Sequence, residues 1–106
     1  AGREIARPGL PAGAIDNAAR AVIEEAGYGE YFTHRTGHGL GLEGHEDPYI
    51  RGDNTQLLEV GMSFTIEPGI YLPGRGGVRI EDDVVVTTDG IESLSTLPRK
   101  LKTLEV

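Results

Sequence analysis

Between Ala12 and Ala26 the apolar residues Ile15, Ala18, Ala19, Val22, Ile23 and Ala26 recur at intervals of three and four, the period that lines one side of a helix. Gly27 follows as a stop, so the pattern predicts an amphipathic helix over about 12–27 with its charges on the other face. Upstream, Arg7-Pro8-Gly9 and Pro11 interrupt any helix arriving from the N-terminal side, and AGREIA reads as the last turn of an element whose beginning is absent. In the second half the period changes to two. MSFTIEPGIYL at 62–72 and GVRIEDDVVVTT at 77–88 alternate as strands, and PGRGG at 73–77 joins them into an antiparallel hairpin. Met62, Phe64 and Ile66 are expected on one face and Ser63, Thr65 and Glu67 on the other, while Val78 and Ile80 oppose Arg79 and Glu81. Glu67 and Glu81 can therefore share a face. A turn centred near Gly74 or Arg75 brings them within a couple of positions of being directly opposite. Asp89-Gly90 marks one more turn before a short strand near Ile91 to Leu94. One helix and an antiparallel sheet make the expected class α+β.

Between helix and hairpin lies THRTGHGLGLEGHE, Thr33 to Glu46, which contains all three histidines of the chain. Gly37, Gly39, Gly41 and Gly44 make a helix costly there, at about 1 kcal/mol each relative to alanine, so the stretch must be extended or looping. His34 and His38 have the four-residue spacing of a helical zinc site, but the glycines oppose a helix. The His45-Glu46 pair also lacks the later histidine of His-Glu-x-x-His. Gly-x-Gly-x-Gly at 37–41 suggests a phosphate loop only weakly, because no helix start or lysine follows and the neighbours are acidic. Glycine here lets backbone approach a bound group closely while imidazoles project toward it.

The 106 residues suffice for one domain with a modest core. A net charge of -7 repels a phosphate backbone or an anionic membrane surface, which excludes nucleic acid and membrane as partners. No apolar run approaches the roughly 20 residues of a membrane span and the N-terminus lacks the regions of a signal peptide, so a cytoplasmic protein is expected. With no cysteine, any metal would sit on His, Asp and Glu. Two carboxylates side by side on a sheet repel unless a cation or a shared proton lies between them. The simpler reading is a solvated acidic face that Arg79 partly neutralises. Pro68 weighs against it, since it holds Glu67 in the extended region and removes a ladder donor just beyond it.

Three segments in order, Thr33 to Glu46, Thr-Ile-Glu-Pro-Gly-Ile-Tyr at 65–71 and Gly-Val-Arg-Ile-Glu-Asp-Asp at 77–83, resemble the C-terminal motifs of the pita-bread metallopeptidases. The Xaa-Pro peptidases, prolidase and aminopeptidase P, are the most similar members. The resemblance covers nearly the whole chain and implies the C-terminal half of a pita-bread domain, a long helix packed on a curved antiparallel sheet. It also implies two divalent metals, Mn, Co or Zn, around a bridging water or hydroxide, and proline-containing peptides as substrates. By motif, His38 would ligate one metal, Glu67 would ligate metal and shuttle the proton, and Glu81 would bridge the two. His45 would face the scissile carbonyl, and His34 and Arg79 would line the substrate site. The family's two aspartate ligands belong to the preceding half of the domain. The aspartates at 16, 47, 53, 82, 83 and 89 do not match them, and the N-terminal domain is also missing. Residues 1–106 are thus expected to be a fragment that is inactive alone, holds at most one metal weakly and associates as a homodimer through its uncovered face. Two alternatives share part of the pattern: methionine aminopeptidase, through Gly-His-Gly and Ile-Glu-Pro, and a pita-bread binding module without catalysis.

Overall fold

A computed structural model describes residues 1–105. One helical turn, α1 (Gly2–Ile5), precedes α2 (Ala12–Glu25), which ends at Ala26 just before the glycine that the sequence supplied as a stop. Pro11 occupies the N-cap of α2 and no side chain caps it. The free N–H groups of Ala12 and Gly13 donate instead to the carbonyls of Gln56 and Asn54, so a distant loop satisfies the helix start.

After a single 3-10 turn at Gly29–Tyr31 the chain forms β1 (Gly37–Gly39), β2 (Glu46–Ile50), β3 (Ser63–Ile66), β4 (Gly69–Leu72), β5 (Gly76–Arg79), β6 (Asp82–Val86) and β7 (Ile91–Ser93). Five of these make one antiparallel sheet in the order β2-β1-β3-β6-β7, and β4 with β5 forms a separate ladder. The architecture is α+β.

The expected hairpin over 62–88 is therefore split between two ladders. Its pairing is nevertheless continuous: Ser63↔Val85 through Ile66↔Asp82 and Gly69↔Arg79 through Leu72↔Gly76 belong to one register. Glu67 falls opposite Glu81 and Pro68 opposite Ile80, at the interruption itself. Pro68 has no N–H to donate across, and the Glu67 N–H goes to the Thr36 carbonyl at 2.6 Å on the other side. Strand β2 was not foreseen, since Glu46-Asp47-Pro48 lacks strand residues. Proline is tolerated because β2 lies at the edge of the sheet.

The core lies between α2 and one face of the sheet, where Ala12, Ile15, Ile50, Leu58, Phe64, Ile66, Val84 and Val86 cluster. One helical expectation requires correction. The charges do not all sit on the solvated face of α2, because Asp16 is buried while the apolar Val22 is exposed. Burial is tolerated because the Asp16 carboxylate accepts hydrogen bonds from Arg20 and Thr36. No helix among the described residues is long and apolar enough to cross a membrane.

Candidate metal centre

Strand alternation places Phe64, Ile66, Val84 and Val86 in the core and turns Thr65, Glu67, Glu81 and Asp83 to the opposite face. Strand β1 crosses beside them. A side chain at Gly37 would collide with the Thr65 carbonyl, and one at Gly39 with the Asp47 carbonyl, so only glycine lets β1 lie this close to both neighbours. His38, between the two glycines, is buried, and its backbone N–H donates to Thr65 Oγ1 at 3.1 Å.

The His38 imidazole is oriented by its own backbone. Nδ1 lies 2.9 Å from the Gly39 carbonyl, which can only accept, so Nδ1 carries the proton. Nε2 is left facing Glu67 Oε2 at 3.6 Å. A lone pair aimed at a carboxylate is unfavourable unless a cation or a further proton lies between them, and a backbone carbonyl behind the ring is the usual orienting partner of a ligating histidine. Glu81 stands directly across from Glu67 in the register of the two ladders. Partial desolvation, then the charge and hydrogen-bonding influence of Glu67, push the Glu81 carboxyl above its ordinary value, against the opposing charge of Arg79.

Imidazole and carboxylate donors suit a borderline-to-hard divalent ion. They stand in a row, with His38 beside Glu67 and Glu81 across from Glu67. Among the described residues, however, no three His, Asp or Glu side chains converge on one point as a closed cage would require. The other expected residues lie around this row. His45 is exposed and meets His38 edge-on, with ring centroids 4.4 Å apart. Arg79 sits at the end of β5 with its charge felt at Glu81. His34 stands farther off, beyond Gly69. Its Nδ1 donates to the Arg35 carbonyl at 2.6 Å, and its Nε2 accepts from the Tyr71 hydroxyl at 2.9 Å. The Tyr71 ring folds back over Gly69, where any side chain would strike its hydroxyl.

Sequence reasoning gave no role to Tyr71 or to Thr36, and it passed over Asp16 and Arg20. The last two carry a visible signal, an acid and a base four apart on a predicted helix. A periodicity argument assigns such a pair to solvent.

The sequence profile of metallopeptidase family M24 matches residues 1–88. A relative named probable dipeptidase PepE, from Mycobacterium bovis, is 57% identical over 98 residues, covering 92% of this chain and 26% of its own. The Xaa-Pro dipeptidase of Lactobacillus delbrueckii subsp. lactis is 52% identical over 103 residues, 97% of this chain and 28% of that one. Among solved structures, recombinant prolidase from Thermococcus sibiricus superposes with a TM-score of 0.94 at 51% identity, over 97% of this chain and 28% of that one. Methionine aminopeptidase from Rickettsia prowazekii is more distant, at a TM-score of 0.71 and 30% identity over 87% of this chain and 46% of that one. The chain spans little more than a quarter of the length of the dipeptidase and prolidase relatives. It has the fold of the corresponding part of these pita-bread enzymes. With the profile covering most of its length, this chain belongs to metallopeptidase family M24.

Proposed function

We propose that residues 1–106 supply the C-terminal part of a dinuclear-metal peptidase that hydrolyses Xaa-Pro bonds. The observation that carries this reading is the row His38–Glu67–Glu81, in which one histidine lone pair faces a carboxylate and a second carboxylate stands directly across from the first, with Arg79 opposing only part of that charge. His38, Glu67 and Glu81 would hold the metals, with Mn as the first candidate, and two aspartates from polypeptide outside these residues would complete the set. Divalent ions there would make water more acidic and polarise the carbonyl under attack.

The remaining chemistry belongs to side chains of this chain. Glu67 takes a proton from the attacking water onto a carboxylate oxygen and returns it to the departing proline nitrogen as the C–N bond breaks. Its backbone N–H, fixed on the Thr36 carbonyl, keeps the carboxylate from swinging away. His45 is exposed beside His38 and donates to the carbonyl oxygen as negative charge develops there. His34 and Arg79 flank the row and bind the peptide. We place the whole enzyme in the cytoplasm, supported by the acidic, cysteine-free composition, and expect residues 1–106 by themselves to pair as a homodimer through the apolar surface that the rest of the polypeptide would cover.

Metal content of the purified whole protein, measured beside its turnover of Xaa-Pro dipeptides, longer Xaa-Pro peptides and Met-initiated peptides, tests the proposal. The expected result is bound divalent metal and cleavage confined to Xaa-Pro bonds. Preference for Met-initiated peptides would make it a methionine aminopeptidase, and absence of both metal and turnover would leave a binding module.

A further inference from the structure

Asp16 and Arg20 form an ion pair on α2, with Arg20 Nε 3.2 Å from Asp16 Oδ2 and the Asp16 carboxylate almost wholly buried. A buried pair of this kind adds little net stability, because desolvating both ions offsets most of their attraction. Its other contacts are more informative. Arg20 also donates to two backbone carbonyls of the segment ahead of β1, Phe32 at 2.8 Å and His34 at 2.9 Å. Its guanidinium lies 4.0 Å over the Phe32 ring, which meets the His34 ring edge-on at 5.1 Å. Asp16 Oδ1 accepts from both the backbone N–H and the hydroxyl of Thr36, at 3.0 and 2.8 Å. The segment from 32 to 36 belongs to no strand or helix, and its backbone is held by these side-chain bonds together with backbone bonds at its two ends, Phe32 to the Gly29 carbonyl and Thr36 to Ile50 and Glu67.

We propose that Asp16 and Arg20 are positioning residues that clamp the 32–36 segment and thereby set the His34 imidazole on the substrate side of the site. This rests on the assignment of His34 to substrate made above. The two partners serve separable points: Arg20 fixes the carbonyl of His34 itself, whereas Asp16 fixes Thr36, whose carbonyl holds the Glu67 N–H. Only a planar fork can bond Asp16, Phe32 and His34 together, so lysine at position 20 keeps the charge and loses the clamp. Asparagine at position 16 keeps an oxygen for Thr36 and places an amide N–H against Arg20.

The test uses the whole protein carrying Arg20→Lys or Asp16→Asn. Each should raise KM for an Xaa-Pro dipeptide about tenfold while kcat and the Kd for Mn change by less than about twofold, since the chemistry and the metal ligands stay in place. In histidine-selectively labelled protein the ring nitrogen signals of His34 should shift. Lower thermal stability with unchanged KM and unchanged His34 signals would reduce the pair to a structural brace and overturn the proposal. Weakened metal binding equal to the KM effect would overturn the substrate-side assignment. If Asp16→Asn does not fold, Arg20→Lys decides alone. If the wild-type protein cleaves no proline peptide, the functional reading has failed, while the His34 signals still decide whether the clamp exists.

Discussion

At the residue scale, the candidate centre depends on single atoms of His38, Glu67 and Glu81. Glu67→Gln in the whole protein should leave the fold intact and lower kcat by about a hundredfold or more, because an amide cannot take up the proton. Near wild-type turnover at full metal loading would remove Glu67 as the proton carrier. For His45→Ala, kcat should fall by about 10²–10³ with metal affinity unchanged, as expected for a donor that meets its partner only in the transition state. Stopped-flow turnover beside metal titration separates the two. Glu81 gives a pH signature in the metal-free protein. Its carboxyl is raised in the fold, so its contribution to stability is complete below the ordinary glutamate range, about 4.3, and is lost as pH rises through the raised value. Glu81→Gln removes that loss. Its melting temperature relative to wild type should therefore climb as pH rises above the ordinary glutamate range, and a difference that stays flat there would contradict the influence of Glu67 on Glu81.

At the scale of elements, the decisive feature is one register carried across two ladders. Pro68 ends the pairing of β3 with β6 and leaves Glu67 and Glu81 opposite one another without ladder bonds between them. Alternation and turn chemistry in the sequence were enough to place the two glutamates on a common face. They were not enough to show the break, because a local pattern does not say which neighbour takes the Glu67 N–H. The approach of β1 is equally tight. Gly37→Ala drives a methyl into the Thr65 carbonyl and should destabilise the chain by about 1–3 kcal/mol in urea unfolding, the usual range for overpacking. A change within about 0.5 kcal/mol, the range of ordinary surface substitutions, would mean that β1 and β3 are less closely packed than described.

At the scale of the molecule, the surface is too large for its mass. A compact monomer of 11.3 kDa exposes about 5,700 Å², whereas this chain exposes 7027 Å². Its radius of gyration, 14.2 Å, likewise exceeds the roughly 13 Å of a compact domain this long. Val22, Ile80, Leu97, Leu101 and Leu104 are among the apolar side chains left in solvent, and a groove of ≈ 290 Å³ beside α1 is lined by Val22, Ile23, Ile66 and Ile80. That groove lies on the core side of the sheet, away from His38 and Glu67. Residues 1–106 purified alone should hydrolyse no Xaa-Pro peptide even with excess Mn, since the row holds too little negative charge for two dications. They should also elute as a dimer or larger. Manganese-dependent cleavage that follows a monomeric peak through a sizing column would contradict both expectations.

The sequence by itself determined the long helix and its stop at Gly27, the strand period around Glu67 and Glu81, and the glycines that admit His38, because each follows from spacing or backbone freedom within a few residues. Tertiary structure decided what sequence distance hides. It put Asp16 inside instead of in solvent, because Thr36, twenty residues away, supplies two of the donors that make burial tolerable. It made Pro48 acceptable in a strand because β2 became an edge. It turned the lone pair of His38 toward Glu67, because the Gly39 carbonyl took the other ring nitrogen.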